Sequence, residues 1–221
     1  MFAEIFSHPD FIIINKPAFT TMHASSNSPN AWLLADIDEP YHIVHRLDDQ
    51  TSGCCILAKT SQAAETFRGL FAANAVHKTY IALSEHKGKR KMGWVKGDMH
   101  NIRSGVWALQ NSNRHPAVSY FKRTGLGNGL YLFWVRPYSG KTHQIRVALK
   151  SNSSPILGDT TYKASPADRI YLHATRLQFE YAGEHIDVSC WPTTGEHFIA
   201  LHQAQQIDLD TTLHALNWPQ S

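Results

Sequence analysis

Apolar positions fall along this chain in short runs separated by polar turns, and those runs define its elements. Phe11-Ile12-Ile13-Ile14 is continuous, as in a buried strand, and Lys16-Pro17 stops it because proline has no amide to extend a ladder. Cys54 to Ala58 reads as a second buried strand. From Ser61 to Asn74, the positions of Ala64, Phe67, Leu70 and Phe71 follow helical spacing, which predicts a helix with one apolar face capped by Ser61. Tyr80-Ile81-Ala82-Leu83, Val118 to Phe121 and Tyr131 to Val135 predict further strands. The last two are joined through Gly125, Gly127 and Gly129, and Pro137 ends the second. A helix from His143 to about Lys150, with Thr142 as N-cap and Ile145, Ala148 and Leu149 inward, places Arg146 one turn in. Leu177 to Tyr181 and Ile186 to Cys190 alternate strictly across Ala182-Gly183-Glu184, an antiparallel hairpin signal. Thr20 to Glu39, rich in Ser, Asn and Pro, reads as mostly loop, residues 86 to 117 as polar hairpins and loops, and the tail from Phe198 as helical.

Strands that mostly follow one another, with few helices between them, predict an α+β domain on a mixed, mainly antiparallel β-sheet flanked by helices and loops. With 221 residues, 43% of them apolar, the chain fits one large domain or two small ones. It shows no repeat, low-complexity block or linker, so a single domain over residues 1–221 is expected. No apolar run approaches the ~20 residues of a membrane helix, and Met1 to Ile5 lacks the basic and apolar regions of a signal peptide. A cytoplasmic protein is expected. Three cysteines, two of them adjacent, form no disulfide framework and read as small buried hydrophobes.

The net charge of +3 is too small for binding nucleic acid by electrostatics alone. Any RNA contact must come from a local patch such as Lys87, Lys89, Arg90 and Lys91, although such a run reads equally as a solvated loop. The densest candidate chemistry is His45-Arg46-Leu47-Asp48-Asp49-Gln50-Thr51-Ser52-Gly53, which sets a carboxylate on a tight polar loop between two apolar runs. Asp48 there is either a nucleophile held by rigid flanks or ordinary turn chemistry. Gly140-Lys141-Thr142 suggests a phosphate loop, but the required glycine five positions earlier is Val135. The fourteen histidines show no metal-ligand spacing, so no metal is expected. A hydrolase trio from Ser52, a histidine and Asp48 lacks Gly-x-Ser-x-Gly. A glycosidase needs a second carboxylate, and Asp49 points away from Asp48 on an extended segment.

A second segment, Ser139-Gly140-Lys141-Thr142-His143-Gln144-Ile145-Arg146, is followed by Pro155-Ile156-Leu157-Gly158-Asp159 and Leu172-His173-Ala174. Together with the Asp48 loop, Asn15-Lys16-Pro17 and Lys78-Thr79-Tyr80, in this order and spacing from about Phe11 to Trp191, these resemble the RluA family of RNA pseudouridine synthases. The resemblance implies that family's catalytic core, with a cleft across the middle of the sheet, and isomerisation of specific uridines in ribosomal RNA, transfer RNA or both. No cofactor, energy source or metal is implied. The chain begins too near its first core strand to hold the separate N-terminal RNA-binding module of many relatives, and no protein partner is evident, so a monomer is the default.

By resemblance, Asp48 is the catalytic carboxylate and Arg146 the basic residue that pairs with it. Tyr80 is the tyrosine that packs on uracil and handles the C5 proton. Arg46 fills the space left by the flipped base, and Leu172 forms an apolar wall. Each has a structural alternative: a solvent-facing helix arginine for Arg146, a core tyrosine for Tyr80, a salt bridge for Arg46 and core packing for Leu172. The family usually has Thr-Gly-Arg where Ser139-Gly140-Lys141 stands, so Lys141 offers RNA a point charge in place of a forked donor. The competing function is an RNA-binding or ribosome-assembly factor with incidental isomerase activity or none.

Overall fold

Each apolar run read as a strand falls on one, with Cys190 just past the end of its own, in the computed structural model, which describes residues 2–23, 31–35, 40–103, 105–204 and 208–220. The first half holds β1 (Ala3–Ser7), β2 (Phe11–Lys16), β3 (Thr20–Thr21), β4 (Ala31–Trp32), β5 (His42–Ile43), β6 (Ser52–Ala58) and α1 (Ser61–Ala72). Then come β7 (His77–Ser84), β8 (Met92–Arg103), β9 (Val106–Gln110), β10 (Ala117–Gly127), β11 (Leu130–Pro137) and α2 (Gln144–Ser151). A 3-10 turn (Thr160–Tyr162), β12 (Leu172–Tyr181), β13 (Glu184–Ser189), α3 (Glu196–Ala204) and α4 (Leu209–His214) complete the chain. The architecture is α+β. It packs as two compact units, Met1–Tyr80 with Leu172–Trp191, and Ile81–Tyr171 with Pro192–Ser221.

In the first unit β6 pairs antiparallel with β2 along its length. On its other edge, its start runs parallel to β12 at Ser52 and Gly53, and its end pairs with β5. β1 extends the sheet beyond β2, and β13 pairs with β12. Period-two alternation sorts β2 and β6 into two buried faces. Phe11, Ile13, Cys54, Ile56 and Ala58 join Leu177, Phe179 and Tyr181 in a core covered by α1. Phe67 of α1 is wholly buried there, its ring 5.0 Å from Phe11 and 5.1 Å from Tyr181, which stabilises the unit by roughly 1.5–3 kcal/mol. The opposite face carries Ile12, Ile14, Cys55 and Leu57, with Met22 against Cys55.

In the second unit β11, β10, β8 and β9 are antiparallel neighbours in that order. The buried face of this sheet includes Val95, Phe121, Phe133 and Val135, and α2 packs against the sheet. The basic run Lys87 to Lys91 is the exposed connection between β7 and β8. Among the described residues no helix is long and apolar enough to cross a membrane.

Several local expectations change. Thr60, not Ser61, caps α1, its side chain accepting from the Ala63 N–H at 3.1 Å, and the helix ends at Ala72. Thr142 is not the cap of α2. His143 holds that place in the left-handed region, with no side-chain cap bond. The expected loop from Thr20 to Glu39 contains the short parallel pair β3 and β4, while residues 24–30 and 36–39 lie outside the described residues. The first strand, β1, exposed except at Ile5 and Phe6, had no apolar run long enough to announce it.

Candidate active site

In the first unit, a basic residue on each flank holds the Asp48 loop. His45 fixes the entry: its Nε2 accepts the Ile56 N–H at 2.9 Å, and its ring lies 4.8 Å from that of Phe71. Burial and the charge of Lys78 lower its pKa from 6.5 to about 3, so the imidazole is neutral and can accept. Arg46 is exposed, Leu47 is buried with its N–H on Met22 Sδ at 3.2 Å, and Asp48 is half-buried. The loop therefore runs from the α1 side at His45 to the opposite face of the sheet at Leu47. It closes with the Thr51 N–H on the Asp48 carbonyl at 2.9 Å, so the turn chemistry expected as an alternative is present beside the carboxylate.

Lys16 fixes the other flank. Its side chain is fully buried, and Nζ donates to the carbonyls of Pro17 at 2.9 Å, Thr20 at 2.7 Å and Asp49 at 3.3 Å. An ammonium removed from water needs such acceptors, and here they join the turn after Lys16 to the backbone of Asp49, beside Asp48. Tyr80, at the end of the unit's share of β7, is 7% exposed. Burial first, then the negative charge of Asp48, push its hydroxyl well above the ordinary range. Leu172 is buried at the start of β12. Arg46, by contrast, makes no hydrogen bond or ion pair with the described residues.

The hydrolase trio fails on geometry. Ser52 Oγ does lie 2.7 Å from His173 Nδ1, but both are buried and the other ring nitrogen lies 3.0 Å from the Cys190 carbonyl oxygen.

In the second unit, Arg146 is 6% exposed, so the solvent-facing reading is wrong. Nε donates to Asp159 Oδ2 at 2.7 Å and Nη2 to Oδ1 at 2.9 Å, while the Tyr162 ring lies 5.2 Å from the guanidinium carbon. This fork sets the plane in which the remaining N–H groups point. Asp159 is placed by Gly158 in the left-handed region, where a Cβ would lie 1.8 Å from the Arg169 carbonyl oxygen and only glycine fits. Gln144, the first residue of α2, ties down the segment before the helix instead: its Oε1 accepts from the Lys141 N–H at 3.0 Å and the Ser139 hydroxyl at 2.8 Å. Lys141 itself is exposed.

Lys87, Lys89, Arg90 and Lys91 are all exposed, but Arg90 turns back so that Nη1 donates to the Trp94 carbonyl at 2.8 Å. The Lys89 N–H bonds the Asn152 carbonyl at 2.8 Å and the Arg90 N–H bonds Asn152 Oδ1 at 3.1 Å, so the run is a fixed turn.

Sequence reasoning assigned no role to Lys16, His45, Asp159 or Gln144, although each lies in a quoted motif.

A family model described as RNA pseudouridylate synthase matches residues 10–151. An uncharacterized RNA pseudouridine synthase of Haemophilus influenzae is 40% identical, over 94% of this chain and 95% of that protein. The ribosomal large subunit pseudouridine synthase C of Rickettsia bellii is 30% identical over 78% of this chain, which spans 62% of that protein. Among solved structures, human RNA pseudouridylate synthase domain containing 1 matches with a TM-score of 0.77 at 21% identity, over 100% of this chain and 97% of that one. The last similarity concerns fold alone.

Proposed function

Because this chain belongs to the RNA pseudouridylate synthase family, we propose that it isomerises particular uridines of ribosomal RNA, with Asp48 as the group that meets the ribose. The chain is an RNA pseudouridine synthase. The finer choice of ribosomal RNA draws support from the large-subunit activity in the name of the Rickettsia bellii relative.

The reaction breaks N1–C1′, turns the base and forms C5–C1′, with one proton leaving C5 and one arriving at N1. Nothing is oxidised or reduced. An ionised carboxylate can add to C1′ or remove a C2′ proton, and both routes require Asp48 charged. The observation that carries this assignment is the setting of Asp48, half-buried on a loop pinned by His45 on one side and by the Lys16 ammonium on the other.

Tyr80 supports the same reading with a narrower role. A phenol held protonated by burial and by the Asp48 charge is no proton acceptor at neutral pH, which favours packing of its ring on uracil over direct removal of the C5 proton. Base flipping costs a few kcal/mol, and an exposed guanidinium such as that of Arg46 can stack in the vacated space. Leu172 then serves as apolar wall, and Lys87, Lys89, Lys91 and Lys141 as phosphate contacts, with Arg90 in part committed to Trp94.

Tritium release from unmodified RNA labelled at uridine C5 tests this. The wild-type protein is expected to release tritium from large-subunit ribosomal RNA. Asp48→Ala is expected to lose the activity by on the order of 10⁴-fold or more while still binding the RNA. Release from transfer RNA alone would move the substrate. An Asp48→Ala rate equal to wild type would remove Asp48 from the chemistry, and release by neither protein from either RNA would promote the assembly-factor reading.

A further inference from the structure

Three groups that uridine isomerisation does not use lie together in the first unit, beside the strand that follows Asp48. Cys54 on β6 and Cys190, just after β13, bring their sulfurs to 3.3 Å, and His173 Nε2 on β12 lies 3.6 Å from the Cys190 sulfur. The imidazole is oriented from both sides. A carbonyl only accepts, so the nitrogen 3.0 Å from the Cys190 carbonyl, Nε2, carries the proton, and Nδ1 accepts from the Ser52 hydroxyl at 2.7 Å.

The Nε2–H thus sits beside both the carbonyl and the sulfur of Cys190, and the Cys54 thiol can donate to the same sulfur. Donors gathered at one sulfur pull the Cys190 thiol below its ordinary range, while the same bond and burial push that of Cys54 up. One sulfur is therefore set to attack and its neighbour to resolve. Cys55, adjacent in sequence, faces the other side of β6 against Met22, and burial pushes its thiol up to about 12.

We propose that Cys54 and Cys190 are a peroxide-reactive dithiol whose closure to a disulfide slows the enzyme by displacing the start of β6. In the first step the Cys190 thiolate attacks one peroxide oxygen, the O–O bond breaks, hydroxide leaves and a sulfenic acid forms. The Cys54 sulfur then gives up its proton and attacks the Cys190 sulfur, expelling the second oxygen as water. Two thiols lose two electrons and one hydrogen peroxide becomes two waters.

A disulfide requires about 2.05 Å between sulfurs, so closure from 3.3 Å draws them together by about 1.2 Å. The strands have little slack to absorb this. At Gly53, beside Cys54, even a Cβ would lie 2.2 Å from the Ala174 carbonyl oxygen, so β6 cannot slide toward β12 there. The movement passes instead to Ser52 and Thr51, and the Thr51 N–H holds the Asp48 carbonyl at 2.9 Å. A misplacement of about 1 Å can cost up to ~100-fold in rate.

The test treats reduced protein with hydrogen peroxide, then alkylates it unfolded without reductant. One alkylatable thiol, Cys55, is expected of the three cysteines, in a product two hydrogens lighter with a Cys54–Cys190 cross-link. Tritium release is expected to slow by about 10- to 100-fold and to recover with dithiothreitol. Cys190→Ser should be insensitive to peroxide, and Cys54→Ala should stop at the Cys190 sulfenic acid, trapped by a dimedone probe. Three alkylatable thiols after peroxide, or a cross-link with unchanged tritium release, would overturn the proposal. The rate readout rests on the isomerase reading and the cross-link does not, so a protein that forms the bridge but never released tritium fails the first reading alone.

Discussion

The Asp48 loop and the segment leading into α2 each hold a charged side chain out of bulk water, by different chemistry. The first is held largely through its backbone, with the Lys16 ammonium on loop carbonyls and the His45 imidazole accepting an amide of β6. In the second, side chain holds side chain: Arg146 is forked onto Asp159 and packed on Tyr162, whose hydroxyl reaches His143 Nδ1 at 3.1 Å. Arg146 is therefore part of its own scaffold, whatever it does to substrate. A loss of activity on mutating Arg146 carries a structural component that must be separated before it is read as catalysis.

The largest expected effect tests that distinction. Arg146→Ala leaves the 1%-exposed Asp159 side chain without its forked partner, and breaking such a buried pair costs about 3–5 kcal/mol. A urea midpoint indistinguishable from wild type would show that the fork contributes nothing. Replacing both partners, Arg146→Met with Asp159→Leu, removes the stranded charge and should recover most of the stability. If Arg146 also acts on substrate, activity stays low in this double variant even as the fold returns.

The sequence disclosed the first segment more fully than the second, for a physical reason. Strands buried on both faces, such as Phe11 to Ile14 and Cys54 to Ala58, announce themselves by unbroken apolar runs, and the Asp48 loop is bounded by them. The buried apolar side of α2 was legible in the same way, but its attachment also rests on long-range polar bonds, such as Gln144 Nε2 to the Val118 carbonyl at 3.0 Å, which leave no periodicity behind. The cap shows the same limit: Thr142 has the right side chain, but His143 in the left-handed region turns the chain into the helix with no side-chain cap bond, and Gln144 ties the Lys141 amide just before it. β1 escaped because Ile5 and Phe6, its two partly buried positions, make too short a run. The roles of Lys16 and Asp159 escaped because a motif records which residue stands at a position, not which atoms it bonds.

An intermediate effect comes from His45 and appears only in acid. Its folded-state pKa, about 3, lies below the 6.5 of the unfolded chain, so the unfolded state binds more protons between those values. This contribution to stability is complete above pH 6.5 and is lost as pH falls from 6.5 toward 3, with a slope of up to about 1.4 kcal/mol per pH unit. His45→Gln keeps an acceptor for the Ile56 amide and has no proton to gain. Its urea midpoint should fall less than that of wild type between pH 7 and pH 5. Equal slopes would mean that another group governs acid sensitivity and that His45 is not held neutral.

The smallest effect on folding, and the sharpest contrast with Arg146, belongs to Arg46. It is exposed and makes no hydrogen bond or ion pair with the described residues, so Arg46→Ala should change stability by no more than about 0.5 kcal/mol. Tritium release should nonetheless fall, because the missing guanidinium would otherwise fill the space of the departed base. The discriminating substrate is a uridine in a short single-stranded RNA, where there is no stack to vacate and the flipping cost is least. If Arg46 serves base flipping, Arg46→Ala loses more activity on the folded RNA than on the single strand, whereas a plain phosphate contact would weaken both alike. Equal losses on the two substrates would leave Arg46 as one cation among several, and the contrast with Arg146 would then rest on stability alone.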